Sequence, residues 1–175
     1  ISPEGGSIVV LKKNEANYYV EKLNIELNKS SVVVRLDRGV SFNSICFRGD
    51  NSIAVSGNSS NKSSIIILHS ETLQKEKEFN IPFIFSNSIA AGTDNSFFLN
   101  SRYGSSPGII IFDAKEGGLK KVFAESALPE TDIVSDDKNV YYISKKEFFE
   151  IVKLSSNDYT SGSVIKFNDQ ISSMK

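Results

Sequence analysis

"NSICFRGDNSIAVSG", from Asn43 to Gly57, is echoed by "NSIAAGTDNSFFLNS", from Asn87 to Ser101, and this echo decides the fold because it sets a period. Asn87 minus Asn43 is 44, Asp94 minus Asp50 is 44, and Ile109 to Ile111 follow Ile65 to Ile67 by 44. A third copy keeps the register: Phe79, Phe123 and Phe167 share the spacing, as do Ile45, Ile89 and Ile133, and Asn51, Asn95 and Asn139. "PEGGSIVVL" near Ile1 aligns with "FRGDNSIAVS" when one residue of slippage is allowed, so four units account for nearly all of the 175 residues.

A period of this length suits helical arrays or sheet blades, and the pattern inside the unit chooses between them. Short runs rich in Ile, Val, Phe and Tyr alternate with Gly, Asn, Asp and Ser, as strands in tight hairpins require. The second copy reads "SICF", "SIAVS", "SIIIL" and "KEKEF"; the third reads "SIAA", "SFFLN", "GIIIF" and "LKKVF". The fourth reads "DIVS", "VYYIS", "FFEIVKL" and "SVIKF", and the first shows clearly only "SIVVL", "YYVEKL" and "SVVVRL". Four antiparallel strands repeated in this way are the unit of an all-β propeller. The blades are expected at residues 1–39, 40–83, 84–127 and 128–175, forming a single propeller region. The first strand of each blade lies nearest the axis, which accounts for the small residues Cys46, Ala90 and Ala91. The fourth is an outer edge, blunted by charge in "QKEKEF" (Gln74 to Phe79) and "LKKVF" (Leu119 to Phe123).

The units resemble WD-type and YVTN-type propeller repeats. "VSDDKNVYYIS", Val134 to Ser144, is similar to the first hairpin of the YVTN-like class, and "GIIIFDAKEGGLKKVF", Gly108 to Phe123, to its third strand, turn and fourth strand. No blade carries the Trp-Asp or Gly-His pairs of WD repeats, and no Asp-box occurs. The resemblance implies a rigid platform for binding. Closure stays open: the chain is read as four blades of a longer or interrupted propeller, with a closed four-bladed ring or another repetitive β fold as the alternatives. A ring of the hemopexin sort ties its first blade to its last by a disulfide, which one Cys cannot supply.

Composition narrows the function classes. With Lys plus Arg at 20 against Asp plus Glu at 21, there is no overall field for a phosphate backbone, and nucleic acid is not expected as a partner. Cys46 stands alone, so no intramolecular disulfide forms. No apolar run approaches the roughly 18 residues of a membrane helix. The chain opens on Ile1, which suggests a processed form or a piece of something longer.

Individual side chains give little chemistry. His69 aligns with Asp113 after the triple-Ile strand and reads as a turn residue. One His with one Cys gives no zinc spacing. Cys46 aligns with Ala90 and Val134 and reads as packing, although Arg48 shares its strand face. Asp50, Asp94, Asp136 and Asp137 fall in the first hairpins, where Asp forms turns; calcium is the weaker reading because these hairpins diverge around a ring. The sequons at Asn28, Asn58 and Asn61 are the number a chain so rich in Asn and Ser produces by chance. No "GxSxG" elbow is present, and the chain is expected to be non-catalytic, without cofactor or metal.

Repeats vary function in their loops. The connection between second and third strands reads as long in "GNSSNKSS" (Gly57 to Ser64) and "SRYGSSPG" (Ser101 to Gly108), on the same face as the blade links "NIPFIFS" and "AESALPETD". That face is the expected binding surface: Arg102 and Tyr103 as an anchor pair, Phe83 and Phe85 as apolar contacts, and Lys145 and Lys146 on the neighbouring blade. The blander reading packs both Phe residues between blades and leaves Arg102 solvated. The expected role is a protein-interaction scaffold, its partner another protein or the remaining blades. A small-ligand or glycan-binding propeller, or a propeller hydrolase with its site at the channel mouth, is the alternative, although "SICF", "SIAA" and "DIVS" offer mainly small apolar inner residues.

Overall fold

The computed structural model describes residues 2, 5–48, 51–82, 84–93, 95–103, 106–123, 127–128, 131–136, 138–145 and 148–167. Strands and turns make up these residues, with no helix among them. Two compact units divide the chain, 1–86 and 87–175.

The first unit contains β1 (Ser7–Asn14), β2 (Asn17–Asn24) and β3 (Lys29–Arg35) as one antiparallel sheet. Its second sheet is β4 (Ser41–Phe47), β5 (Ser52–Asn58), β6 (Lys62–His69) and β7 (Lys75–Pro82), paired in chain order. Between them lie Val20, Leu36, Phe42, Ile53, Val55, Ile66, Leu68 and Leu73, with Val9, Leu11 and Ile45 at the margin. Removing each such side chain from water stabilises the unit by about 1.5–3 kcal/mol before entropy is counted. β5 and β6 are buried on both faces, which is why "SIAVS" and "SIIIL" run apolar without strict alternation.

β8 (Ile84–Ala91) links onward, pairing with β9 (Ser96–Tyr103), β10 (Ser106–Asp113) and β11 (Gly118–Phe123). β12 (Val134–Ser135), β13 (Asn139–Lys145), β14 (Phe149–Ser155) and β15 (Ser161–Phe167) form the last sheet. Phe98, Ile109 and Ile111 of one sheet meet Val140, Tyr142, Val152 and Leu154 of the other in the core of the second unit.

The first sheet has three strands among the described residues, and the register shows which ones they are. β1 aligns with β5 and β2 with β6, each 45 residues on, so its strands correspond to the second, third and fourth strands of the next sheet. The innermost strand of the last sheet is reduced to Val134–Ser135.

The turn between third and fourth strands is the same in three sheets. The N–H of Leu73 donates to His69 O (2.9 Å), that of Gly117 to Asp113 O (2.8 Å) and that of Tyr159 to Ser155 O (3.1 Å). All three residues sit at positive φ, 54°, 72° and 59°. Glycine meets this need freely; Leu73 and Tyr159 meet it against a steric cost, offset by packing on the two cores.

Candidate functional site

In two of the sheets the end where second strand turns into third is organised by side-chain amides. In the first unit the Asn58 amide pairs with the Ser86 backbone as a strand would: Nδ2 donates to Ser86 O (2.6 Å) and Oδ1 accepts the Ser86 N–H (2.9 Å). Asn43 Nδ2 also donates to Ser86 O (2.7 Å), and Ser63 Oγ accepts the Ser86 N–H (2.8 Å). In the second unit Asn100 Nδ2 donates to the carbonyls of Leu128 and Thr131, both at 2.8 Å. Ser88 Oγ adds a bond to Thr131 O (3.3 Å) and accepts the Ile133 N–H (3.2 Å). These bonds fix the links between successive strands and sheets without regular pairing.

On this frame Arg102 stands exposed near the end of β9, opposite Pro107 of β10. Tyr103 is the last residue of β9. Phe85 is 38% exposed on β8, and exposed Lys145 ends β13 with Nζ 5.0 Å from the centre of the Phe149 ring. Phe83 and Lys146 lie outside the described residues. The hairpins are tighter than the sequence suggests: β5 runs to Asn58 and β6 starts at Lys62, while β9 runs to Tyr103 and β10 starts at Ser106. Arg102 and Tyr103 are therefore strand-end residues and not loop residues. Sequence reasoning missed the clamps of Asn58 and Asn100, because a lone Asn beside Ser reads as a loop former until its partner across the sheet is known.

The residues considered for chemistry fall into structural roles. His69 Nδ1 accepts the Glu71 N–H (3.2 Å) within its turn. Burial pushes the Cys46 thiol up to about 12, against the opposing charge of Arg48. It stays protonated at neutral pH and is no nucleophile. Asp136 Oδ1 accepts the N–H groups of Lys138 and Asn139, both at 2.7 Å, and Oδ2 accepts the Tyr141 hydroxyl (2.9 Å). Those bonds, led by that from Lys138, hold its carboxyl down at about 2. Both Asp136 oxygens are spent on the turn, and Asp50, Asp94 and Asp137 lie outside the described residues. No group of three or more His, Cys, Asp or Glu side chains suited to a metal occurs among the described residues.

Solved structures carry the same arrangement. Over 93% of its length the chain superposes on the WD40 repeats of RRP9 with a TM-score of 0.70 at 9% identity, spanning 48% of that chain. The fold is that of β-propeller blades. U3-55K gives a TM-score of 0.70 at 9% identity, with 93% of this chain on 49% of that one. A puromycin-hydrolyzing peptidase of Mycobacterium tuberculosis gives 0.67 at 13% identity, with 97% of this chain on 29% of the peptidase. The propeller segment thus spans about half the length of the WD40 structure and under a third of the peptidase. No family model and no curated protein matches the sequence. At such identities the likeness speaks to the propeller fold and not to an activity.

Proposed function

We propose that the chain is a non-catalytic protein-interaction platform, forming blades of a longer propeller and binding through the end that carries Arg102, Tyr103, Phe83, Phe85, Lys145 and Lys146. The observation that carries this reading is the set of amide clamps at that end, Asn58 on Ser86 and Asn100 on Leu128 and Thr131. A surface held in place before binding loses little ordering entropy on binding, so exposed groups such as Arg102 and Phe85 present a ready patch. The WD40 neighbours agree with this reading.

A photocrosslinking residue at position 102, compared with one at exposed Lys115 in the turn after β10, tests it. Discrete protein adducts at 102 and not at 115 support the platform; equal labelling at both positions, or none, counts against it. The second reading, a small-ligand or glycan-binding propeller or a hydrolase with a channel-mouth site, draws on the puromycin-hydrolyzing peptidase. Its test is turnover of peptide and ester substrates by the 175-residue chain, which the platform reading expects to be absent.

A further inference from the structure

β11 is the outer strand of its sheet, and one of its residues has no place in the ladder. Ile111 pairs with Lys121 and Phe112 with Leu119, so Lys120 is the extra residue of a β-bulge. Regular alternation sends consecutive side chains to opposite faces of a sheet, and a bulge re-aims one of them. In β11 it brings two ammonium groups to one ring. Lys120 Nζ lies 5.8 Å and Lys121 Nζ 5.4 Å from the centre of Tyr159, and Lys121 Nζ lies 4.5 Å from the centre of Phe123.

The shared ring is fixed. Tyr159 packs half-buried on the core of the second unit, with the Phe98 and Phe123 ring centres 6.5 and 6.2 Å away. Its backbone is held in the left-handed turn before β15 by the bond of its N–H to Ser155 O. The same bulge occurs in the other outer strands with different side chains: Ser31 beside Val32 in β3, Glu76 beside Lys77 in β7 and Val164 beside Ile165 in β15. Of the four, β11 alone puts two cations there.

The acids nearby are committed elsewhere. Asp113, whose carboxyl senses Lys120, accepts the N–H groups of Lys115 and Glu116 at Oδ1. Asp158, next to Tyr159 in the chain, spends Oδ1 on the N–H and hydroxyl of Thr160. Among the described residues no carboxylate forms an ion pair with Lys121. Two exposed cations held on one ring repel each other, and an incoming anion relieves that repulsion.

We propose that Lys120, Lys121 and Tyr159 form a docking patch for an acidic protein segment, whose carboxylates meet the two ammonium groups that the ring holds in place. The net charge of −1 supplies no long-range field to gather a nucleic acid, so the attraction is confined to the patch and to a few carboxylates. The patch lies on other elements than those that carry Arg102 and does not depend on binding there.

The test measures fluorescence anisotropy of a labelled short peptide of alternating Glu and Ser added to the 175-residue chain, with its Gln counterpart as control. Saturable binding of the Glu peptide is expected, weakened by salt and weakened about tenfold by Lys120→Gln combined with Lys121→Gln. Lys77→Gln, the same place in β7, should leave it unchanged. Both lysines of the patch are exposed, so the double variant is expected to melt like the wild type; if it does not, backbone amide shifts of the wild type on titration decide, and they must centre on Lys120, Lys121 and Tyr159. Equal binding of the Gln peptide, no binding, or an equal loss in Lys77→Gln overturns the proposal. So does an oligonucleotide that binds more tightly than the Glu peptide, which would mark a general polyanion surface.

Discussion

Leu73 has the left-handed backbone that glycine would adopt freely, at φ 54°, and is fully buried. Truncation to Gly relieves strain of order 1 kcal/mol but removes a packed side chain usually worth about 2–5 kcal/mol, so Leu73→Gly should lower stability by about 2 kcal/mol in urea unfolding. Gly117 fills the equivalent turn in the next sheet and marks the cheaper solution. Cys46 makes a separate prediction. Its thiol, raised to about 12 by burial, should resist iodoacetamide in the folded chain at pH 8 and react promptly in denaturant. A raised pKa means that the folded state holds the proton longer, so this group's contribution is complete below its unfolded value near 8.5 and is lost as pH climbs towards about 12. Asp136 and Asp158 have the opposite sign, since hydrogen bonds hold both at about 2: their contribution is present at neutral pH and lost as pH falls from the usual carboxylate range through that value. The low-pH arm of a stability profile should flatten in Asp136→Asn and Asp158→Asn.

The hairpins and clamps belong to the scale of the element. Gly57 lies opposite Phe42 in the β4–β5 ladder, and a Cβ there would come within 2.8 Å of Phe42 Cα and Ser41 O. Gly57→Ala should therefore be destabilising, since backbone stands in the way as well as the Phe42 ring; the thermal midpoint measures it. Asn58→Ala removes both amide bonds to Ser86 and should cost about 1–3 kcal/mol, checked by urea unfolding, whereas a mutation of exposed Lys115 should be nearly silent. The strands themselves were legible because the 44-residue echo repeats their apolar runs. Their ends were not. "GNSSNKSS" and "SRYGSSPG" read as loops by composition, yet Ser63, Ser64 and Ser101 are fully buried in extended strands. Ser63 Oγ bonds to Asn58 Oδ1 (2.8 Å) and Ser64 Oγ to Asn80 Oδ1 (2.9 Å), and such cross-strand partners make polar residues acceptable inside a sheet.

At the scale of the whole molecule, each strand among the described residues pairs with strands next to it in sequence, so these ladders are local even though the fold is all β. The near-balanced charge, −1 at pH 7, places the solubility minimum just below neutrality, and a precipitation series across pH 5 to 8 should show it. By itself the sequence determined the repeat, the strand content, the order of strands within each sheet and the charged outer edges, because each rests on residue types recurring at a fixed spacing. The placing of Arg102 on a strand end instead of a loop was decided only in the tertiary structure, as were the Asn58 and Asn100 clamps. Those features depend on which backbone groups find partners across a sheet. A hydrogen bond's direction alternates along a strand while its residue types need not, so neither composition nor spacing can reveal it.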